Sequence, residues 1–288
     1  MIYIVIITII FTIIFIMFSY RKSNFINVNG SIKENLYIRP NNRQGLFSVI
    51  NELIKALVYA NKNNYHLVIV DDDISFGSFL RYFNEYPLFF TVVSNIDMSD
   101  INQKNIYTKL GSASDNTSYE EMALYKDIIF RPKQEFLYNG FIYEPLINKK
   151  YISIHIRKGD KILSESQDID NDIYASVINK YCILLNISNV YYATDDTDNL
   201  TEIITKLPHL NHFYNKIKSS GYSNELYKTR TLSEKDEDFK NMMIDLYTVI
   251  NSEFFICTYT SNVSRFIALY RDRSKCLSLD IEWTCCYL

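Results

Sequence analysis

Apolar runs and helix-like patterns alternate along the chain, and this order predicts an α/β protein. Asn35 to Pro40 predicts a short strand, Leu46 to Ala60 has the apolar spacing of a helix, and His66 to Val70 predicts a buried strand. A strand, a helix and a strand in succession are typical of a parallel sheet. Residues from Phe79 to Lys150 are rich in aromatic side chains and follow neither pattern, so we expect irregular structure there.

A second series of alternating elements begins at Tyr151. The stretch YISIHIRKGDK starts as a strand whose isoleucines face one side of the sheet while Ser153, His155 and Arg157 face the other. Helices and strands then alternate over residues 172–185, 190–194, 200–207, 212–214, 237–251, 253–258 and 262–270. The two series predict two Rossmann-like α/β halves facing a cleft, over residues 35–148 and 149–288.

The first part of the chain predicts an uncleaved membrane anchor over residues 1–22, followed by a polar linker over residues 23–34. Residues 2–20 carry no charge, and a helix of that length, at ~1.5 Å per residue, nearly spans a hydrocarbon core of ~30 Å. No small-residue cleavage site follows. A buried strand or core helix is the alternative, which unbroken apolarity of this length disfavours. Arg21 and Lys22 favour the cytoplasm for the side that follows the anchor.

Composition changes this picture in one respect. The 288 residues are 48% hydrophobic, which is enough for a substantial core, and their formal net charge is −3. This charge gives no global field that would attract nucleic acid or anionic membranes. Any anion site must therefore be built locally by basic side chains.

The cysteines do not predict a metal site. Their spacings match no zinc pattern, and Cys182 and Cys257 lie in apolar runs that predict buried thiols. In an oxidising compartment Cys276 could pair with either Cys285 or Cys286.

Polar clusters follow three predicted strands of the second half, in HIRKGDK, ATDDTD and CTYTSNVSR. Ligands of parallel sheets bind at the carboxyl ends of the strands. Arg157 offers a planar guanidinium suited to bidentate contact with phosphate. Hydroxyl groups of Thr258, Thr260 and Ser261, together with N–H groups at the start of the following helix, also suit phosphate. These groups could neutralise a diphosphate without a metal.

Several of these carboxylates and turns also have structural explanations. Asp195 and Asp196 could fix partner side chains or sugar hydroxyls, or they could cap the next helix, and SNVSR could also be a capping segment. Asp71 and Asp73 directly follow a predicted strand. They could hold a divalent cation bound to a nucleotide-sugar diphosphate, or they could belong to an acidic loop with a helix cap.

Three blocks of residues 151–273 together resemble a known family. HIRKGDK followed by a glutamate, then YYATDD, then MIDLYTVINSEFFICTYTSNVSR, are similar to the α1,6-fucosyltransferases that add core fucose to N-glycans and to their rhizobial nodulation-factor relatives. The H-x-R-x-G-D core also resembles α1,2-fucosyltransferases and protein O-fucosyltransferases, whereas ATDD and T-x-T-S-N-V-S-R favour the α1,6 group.

The resemblance implies a GT-B-like, inverting enzyme that uses GDP-β-L-fucose and no metal cofactor. The implied partners are GDP-fucose, a glycan or glycoconjugate acceptor, and the membrane through residues 2–20, with no nucleic acid. Protein glycosylation at the lumenal face of the Golgi or ER would follow, although the charges after the anchor favour the opposite orientation. The alternatives are a metal-dependent glycosyltransferase that uses Asp71 and Asp73, and a non-catalytic binding protein of the same fold.

The resemblance also implies roles for particular residues. Arg157 would hold the β-phosphate, Asp245 the guanine edge and Ser261 the diphosphate. Glu165 would be the catalytic base, with Lys161 beside it. The implied donor site also includes residues from each of the three blocks: His155, Lys158, Asp195, Asp196, Thr258 and Thr260. Lys158 and Gly159 replace an arginine and a threonine of the family, and the amino-terminal half is short, so the acceptor need not be an N-glycan core.

Overall fold

The computed structural model of the protein describes residues 34–40, 45–72, 78–107, 117–137, 142–157, 168–194, 197–215 and 224–283. Residues from Glu34 onward form one compact unit. Within the described residues the strands form two parallel sheets, one within residues 35–148 and one within residues 149–288.

The first part of the unit contains a three-stranded parallel sheet in the order β1-β2-β3. Apolar residues of α1, among them Val49, Ile50 and Leu53, are buried, which is why its helical spacing could be read in the sequence. Its elements in chain order are β1 (Asn35–Ile38), α1 (Leu46–Lys62), β2 (His66–Val70), α2 (Phe79–Tyr82), β3 (Phe90–Val93) and α3 (Tyr119–Ile129).

The second part contains a five-stranded parallel sheet in the order β6-β5-β4-β7-β8. Its elements are β4 (Ile152–Ile156), α4 (Asn171–Leu185), β5 (Asn189–Thr194), α5 (Thr197–Lys206), β6 (Asn211–Tyr214), α6 (Asn224–Thr229), α7 (Leu232–Ile250), β7 (Phe254–Cys257), α8 (Asn262–Ala268) and β8 (Cys276–Ser278). The first strand of this part, β4, lies in the middle of the sheet. Strands β5 and β6 follow on one side of it, and β7 and β8 lie on the other, as in Rossmann-like folds. The prediction of an α/β fold with parallel sheets is confirmed.

The expectation of irregular structure between Phe79 and Lys150 is wrong in three places, because α2, β3 and α3 lie there. The start of α3 has a local signal in the sequence. The Ser118 hydroxyl accepts from the N–H of Glu121 at 3.2 Å, and the Glu121 carboxylate accepts from the N–H of Ser118 at 3.0 Å. This reciprocal pair is a capping box. A second one, between Thr231 and Glu234, starts α7 five residues before the predicted position.

Both faces of β4 are buried, the face with Ser153 and His155 as well as the face with the isoleucines. All five of its residues are buried, because this central strand of a parallel sheet is covered on both sides. Ser153 is fully buried and its hydroxyl lies 2.6 Å from that of Ser252. His155 is only 7% exposed. The polar side chains of β4 therefore meet partners inside the protein instead of water.

Side chains from the first part pack directly on the helices of the second. The ring of Phe239 on α7 lies 4.4 Å from that of Tyr82 and 5.5 Å from that of Phe83, measured between centroids. Nearby, Arg81 forms a two-pronged ion pair with Asp236, at 2.8 and 2.7 Å. These contacts fix α7 relative to α2. Because α7 also supplies a predicted site residue, the first part helps to shape the site.

No helix within the described ranges is long and apolar enough to cross a membrane. The predicted anchor and linker, residues 1–34, lie outside those ranges except for Glu34. Cys182, Cys257 and Cys276 are buried thiols, as predicted for the first two. Cys285 and Cys286 lie outside the described residues.

Candidate functional site

The carboxyl ends of β4 and β7 meet at the point where the strand order of the second sheet reverses. The two strands are parallel neighbours with Ile154 opposite Ile256. Arg157, which is half-buried, directly follows β4, and the turn from Thr258 to Ser261 directly follows β7. Open α/β sheets bind ligands at this kind of reversal point. The topology therefore brings together two of the three polar clusters that the sequence singled out.

A single carboxylate holds the turn after β7. Oδ1 of Asp280 accepts from the N–H of Tyr259 at 2.6 Å, and Oδ2 accepts from the N–H and the hydroxyl of Thr260 at 3.0 and 2.5 Å. Ser278 and Ile281 donate to Oδ1 as well, at 2.6 and 2.8 Å. Burial alone would raise the pKa of Asp280, but these hydrogen bonds outweigh it and lower the pKa below its ordinary value. Asp280 could not be predicted from the sequence, because a single aspartate after a short unpredicted strand carries no local signal.

The three predicted hydroxyls of this turn differ in their surroundings. Thr260 donates to Asp280, so it helps to hold the turn. The hydroxyl oxygen of Thr258 is buried and has no hydrogen-bond partner among the described residues. Ser261 is the N-cap residue of α8, yet its side chain makes no capping hydrogen bond and has no other partner in the described part of the chain. The hydroxyls of Thr258 and Ser261 are therefore not engaged by any other described residue.

His155 is oriented by α8. Its Nδ1 lies 3.0 Å from the hydroxyl of Ser264, a fully buried residue one turn into that helix. Burial raises the pKa of the neighbouring Cys257 thiol far above its ordinary value, against the opposing effect of its hydrogen bond with Ser264. Cys257 thus stays protonated and unreactive. His155 is fixed at the carboxyl end of β4, two residues before Arg157.

Asp245 is a half-buried carboxylate on α7. The hydroxyl of Tyr191, on β5, donates to its Oδ1 at 2.5 Å. Burial raises the pKa of Asp245 to about 7, and the hydrogen bond from Tyr191 opposes that rise. Its Oδ2 has no hydrogen-bond partner among the described residues. Such a carboxylate can accept hydrogen bonds from N–H groups along one edge of a ligand.

Five predicted site residues lie outside the described residues: Lys158, Lys161, Glu165, Asp195 and Asp196. In the sequence, the first three follow Arg157 after β4 and the two aspartates follow β5. Their roles stay predictions.

Asp71, one half of the alternative metal site, makes the contacts of a helix cap. Its Oδ2 accepts from the hydroxyl of Ser78 at 2.5 Å, and its Oδ1 accepts from the N–H of Phe79 at 2.8 Å, at the start of α2. Asp73 lies outside the described residues. The described part of the chain contains no group of three or more His, Cys, Asp or Glu side chains arranged to hold a metal ion. The hydrogen bonds of Asp71 with Ser78 and Phe79 favour the capping explanation for this residue.

Comparisons with known proteins identify chains of the same fold. No family model matches the sequence. NodZ α1,6-fucosyltransferase, in a crystal soaked with GDP-fucose, aligns at a TM-score of 0.55 and 15% identity over 83% of this chain and 93% of its own. POFUT1 in complex with GDP-fucose aligns at 0.51 and 10% identity over 84% and 95%. A variant of Arabidopsis thaliana FUT1 in complex with GDP aligns at 0.51 and 9% over 83% and 69%. The chain therefore has the fold of these fucosyltransferases, and the resemblance predicted from its motifs is confirmed at the level of the fold.

Proposed function

We propose that this protein is an inverting fucosyltransferase that transfers L-fucose from GDP-fucose to a hydroxyl of a glycan acceptor. The observation that supports it most is the meeting of Arg157 and the Thr258–Ser261 turn at the reversal point of the second sheet. The fold adds support, since NodZ and POFUT1 share it and their crystals contain GDP-fucose. The predicted anchor adds the further proposal of a membrane-bound enzyme at the lumenal face of the Golgi or ER.

The basic residues at the end of β4 act on the departure of the leaving group. As the bond between fucose and the diphosphate breaks, negative charge builds on the β-phosphate. A guanidinium already held at the end of β4 stabilises that charge more in the transition state than in the ground state, which is the condition for acceleration. Ser261 contributes a hydroxyl donor from the other strand end. Arg157 is therefore the central residue of the proposed chemistry.

Two different carboxylates act as the catalytic base and bind the guanine of the nucleotide. Guanine presents a ring N–H and an exocyclic amino group on one edge, and an ionised Asp245 accepts from such donors. Glu165 takes the proton of the acceptor hydroxyl, and Lys161 nearby keeps that carboxylate ionised. Inversion requires the base on the face of fucose opposite the diphosphate. His155, Lys158, Asp195, Asp196 and Thr258 complete the proposed donor site.

The donor is tested by thermal unfolding with GDP and with UDP. At ~100 times its dissociation constant GDP stabilises the folded protein by about 2.7 kcal/mol, whereas UDP raises the midpoint much less because it lacks the guanine edge. Arg157→Ala removes most of the shift with GDP, and Arg157→Lys restores it incompletely because a point charge cannot form the two-pronged contact.

Equal shifts of the unfolding midpoint with GDP and with UDP would contradict the proposed function. If GDP binds as expected but GDP-fucose is neither hydrolysed nor used as a donor for any glycan tested, the protein is a binding protein of the same fold.

A further inference from the structure

The hydrogen bond between Tyr191 and Asp245 links the second sheet to the carboxylate proposed to bind guanine. Tyr191 is fully buried on β5 and donates to Oδ1 at 2.5 Å. Burial, followed by the charge of Asp245, raises the pKa of Tyr191 above its ordinary value. The phenol thus stays protonated around neutral pH, so it can donate to Asp245.

We propose that Tyr191 is a positioning residue that orients the Asp245 carboxylate for guanine and stabilises the ionised form on which donor binding depends. This inference rests on the proposed function, in which Asp245 meets the guanine edge. One oxygen of Asp245 is fixed by Tyr191, while Oδ2 has no partner among the described residues. An ionised carboxylate accepts both donors of the guanine edge, but a protonated one turns an O–H toward a donor.

The surroundings of Asp245 leave it close to the point of protonation near neutral pH. Burial is the main cause, and Tyr191 is the group that opposes it. Tyr143 packs on Tyr191 from the segment before β4, with ring centroids 5.5 Å apart. No lysine or arginine in the described part of the chain contributes to the shift. With a pKa of about 7, ionisation-dependent binding weakens about tenfold between pH 8 and pH 6.

The strand itself offers a matched control for Tyr191. Tyr192 is the next residue, is also buried, and its hydroxyl lies 2.9 Å from Nδ1 of His212, away from Asp245. Tyr191→Phe and Tyr192→Phe each delete one buried phenolic hydroxyl from β5. Only the first deletion affects the ionised form of Asp245.

The test is calorimetric titration of the full chain in detergent with GDP-fucose, between pH 5.5 and 8.5. GDP-fucose suits this range because each of its phosphates is esterified and does not titrate there. The wild type and Tyr192→Phe bind about tenfold more weakly at pH 6 than at pH 8. Tyr191→Phe loses affinity at a pH higher by about one unit, since the ionised carboxylate has lost a donor. Any residual binding by Asp245→Asn does not vary with pH.

The outcomes separate the inference from the proposed function. Absence of binding at pH 8.5 overturns the proposed function and this inference with it. Binding at pH 8.5 that is equally strong at pH 6 overturns the inference alone. A pH dependence that persists in Asp245→Asn, or that has the same midpoint in both tyrosine variants, belongs to another group such as His155 and also overturns it.

Discussion

Asp280 gives the sharpest test of how the turn after β7 is built, because asparagine can replace only part of what it does. The amide oxygen of Asp280→Asn can still accept from the donors now at Oδ1, which are Tyr259, Ser278 and Ile281. At the Oδ2 position an NH2 group would face the N–H of Thr260. The substitution therefore loses the hydrogen bond from the N–H of Thr260, next to Ser261, while the Thr260 hydroxyl can turn and accept from the NH2 group.

The size of the effect follows from that lost bond, which had a charged acceptor. A hydrogen bond to a charged acceptor contributes roughly 1.5–3 kcal/mol, and the lower value applies here because Asp280 is only half-buried. We expect Asp280→Asn to lower the free energy of unfolding by about 1.5 kcal/mol at pH 7. The folded-state pKa of Asp280 lies below its ordinary value, so the wild-type advantage is present above that ordinary value. It is lost as the pH falls through the folded-state pKa.

Urea unfolding followed by tryptophan fluorescence measures this loss where it occurs. Trp283 is the single tryptophan, and its ring centroid lies 4.6 Å from that of Tyr259 in the turn. Asp272→Asn is the control, because both donors from Ser274 reach one oxygen of Asp272, at 2.9 and 2.8 Å, and an amide keeps that oxygen. GDP binding by Asp280→Asn is also expected to weaken. Equal stability and equal GDP affinity in the two variants would refute this account of the turn.

Two further predictions concern the base and the alternative metal site. Glu165→Gln keeps the shape of the side chain but removes the basic oxygen, so we expect GDP affinity to be unchanged while fucose transfer falls by at least about a hundredfold; near-normal transfer would move the base to Asp195 or Asp196. Asp71→Asn weakens the cap of α2, and we expect it to cost about 0.5–2 kcal/mol of stability with transfer activity retained. Activity that EDTA abolishes and Mn²⁺ restores would contradict this and return the site to Asp71 and Asp73.

Local sequence patterns predicted most of the secondary structure, because each such element has a short-range physical cause. The strand from His66 to Val70 has the predicted bounds, since a buried parallel strand is a continuous apolar run. Helix α1 begins at Leu46 as predicted, because its apolar spacing matches the helical period. Helix α3 was missed although the capping box of Ser118 and Glu121 is written in the sequence. Strand β8, of three residues, is too short to show any period.

The sequence by itself also determined which residue types follow each strand, and so it pointed to Arg157 and Ser261, whereas Asp245, inside α7, was indicated only by the resemblance to the fucosyltransferases. Only the tertiary structure decided how these groups are held. Asp280 reaches back 20 residues to Thr260, and Tyr191 meets Asp245 across 54 positions in the chain. Pairings of this kind depend on which strands become neighbours, and no local period or propensity encodes them. The same holds for the burial of both faces of β4, because the helices that cover a parallel sheet come from distant parts of the chain.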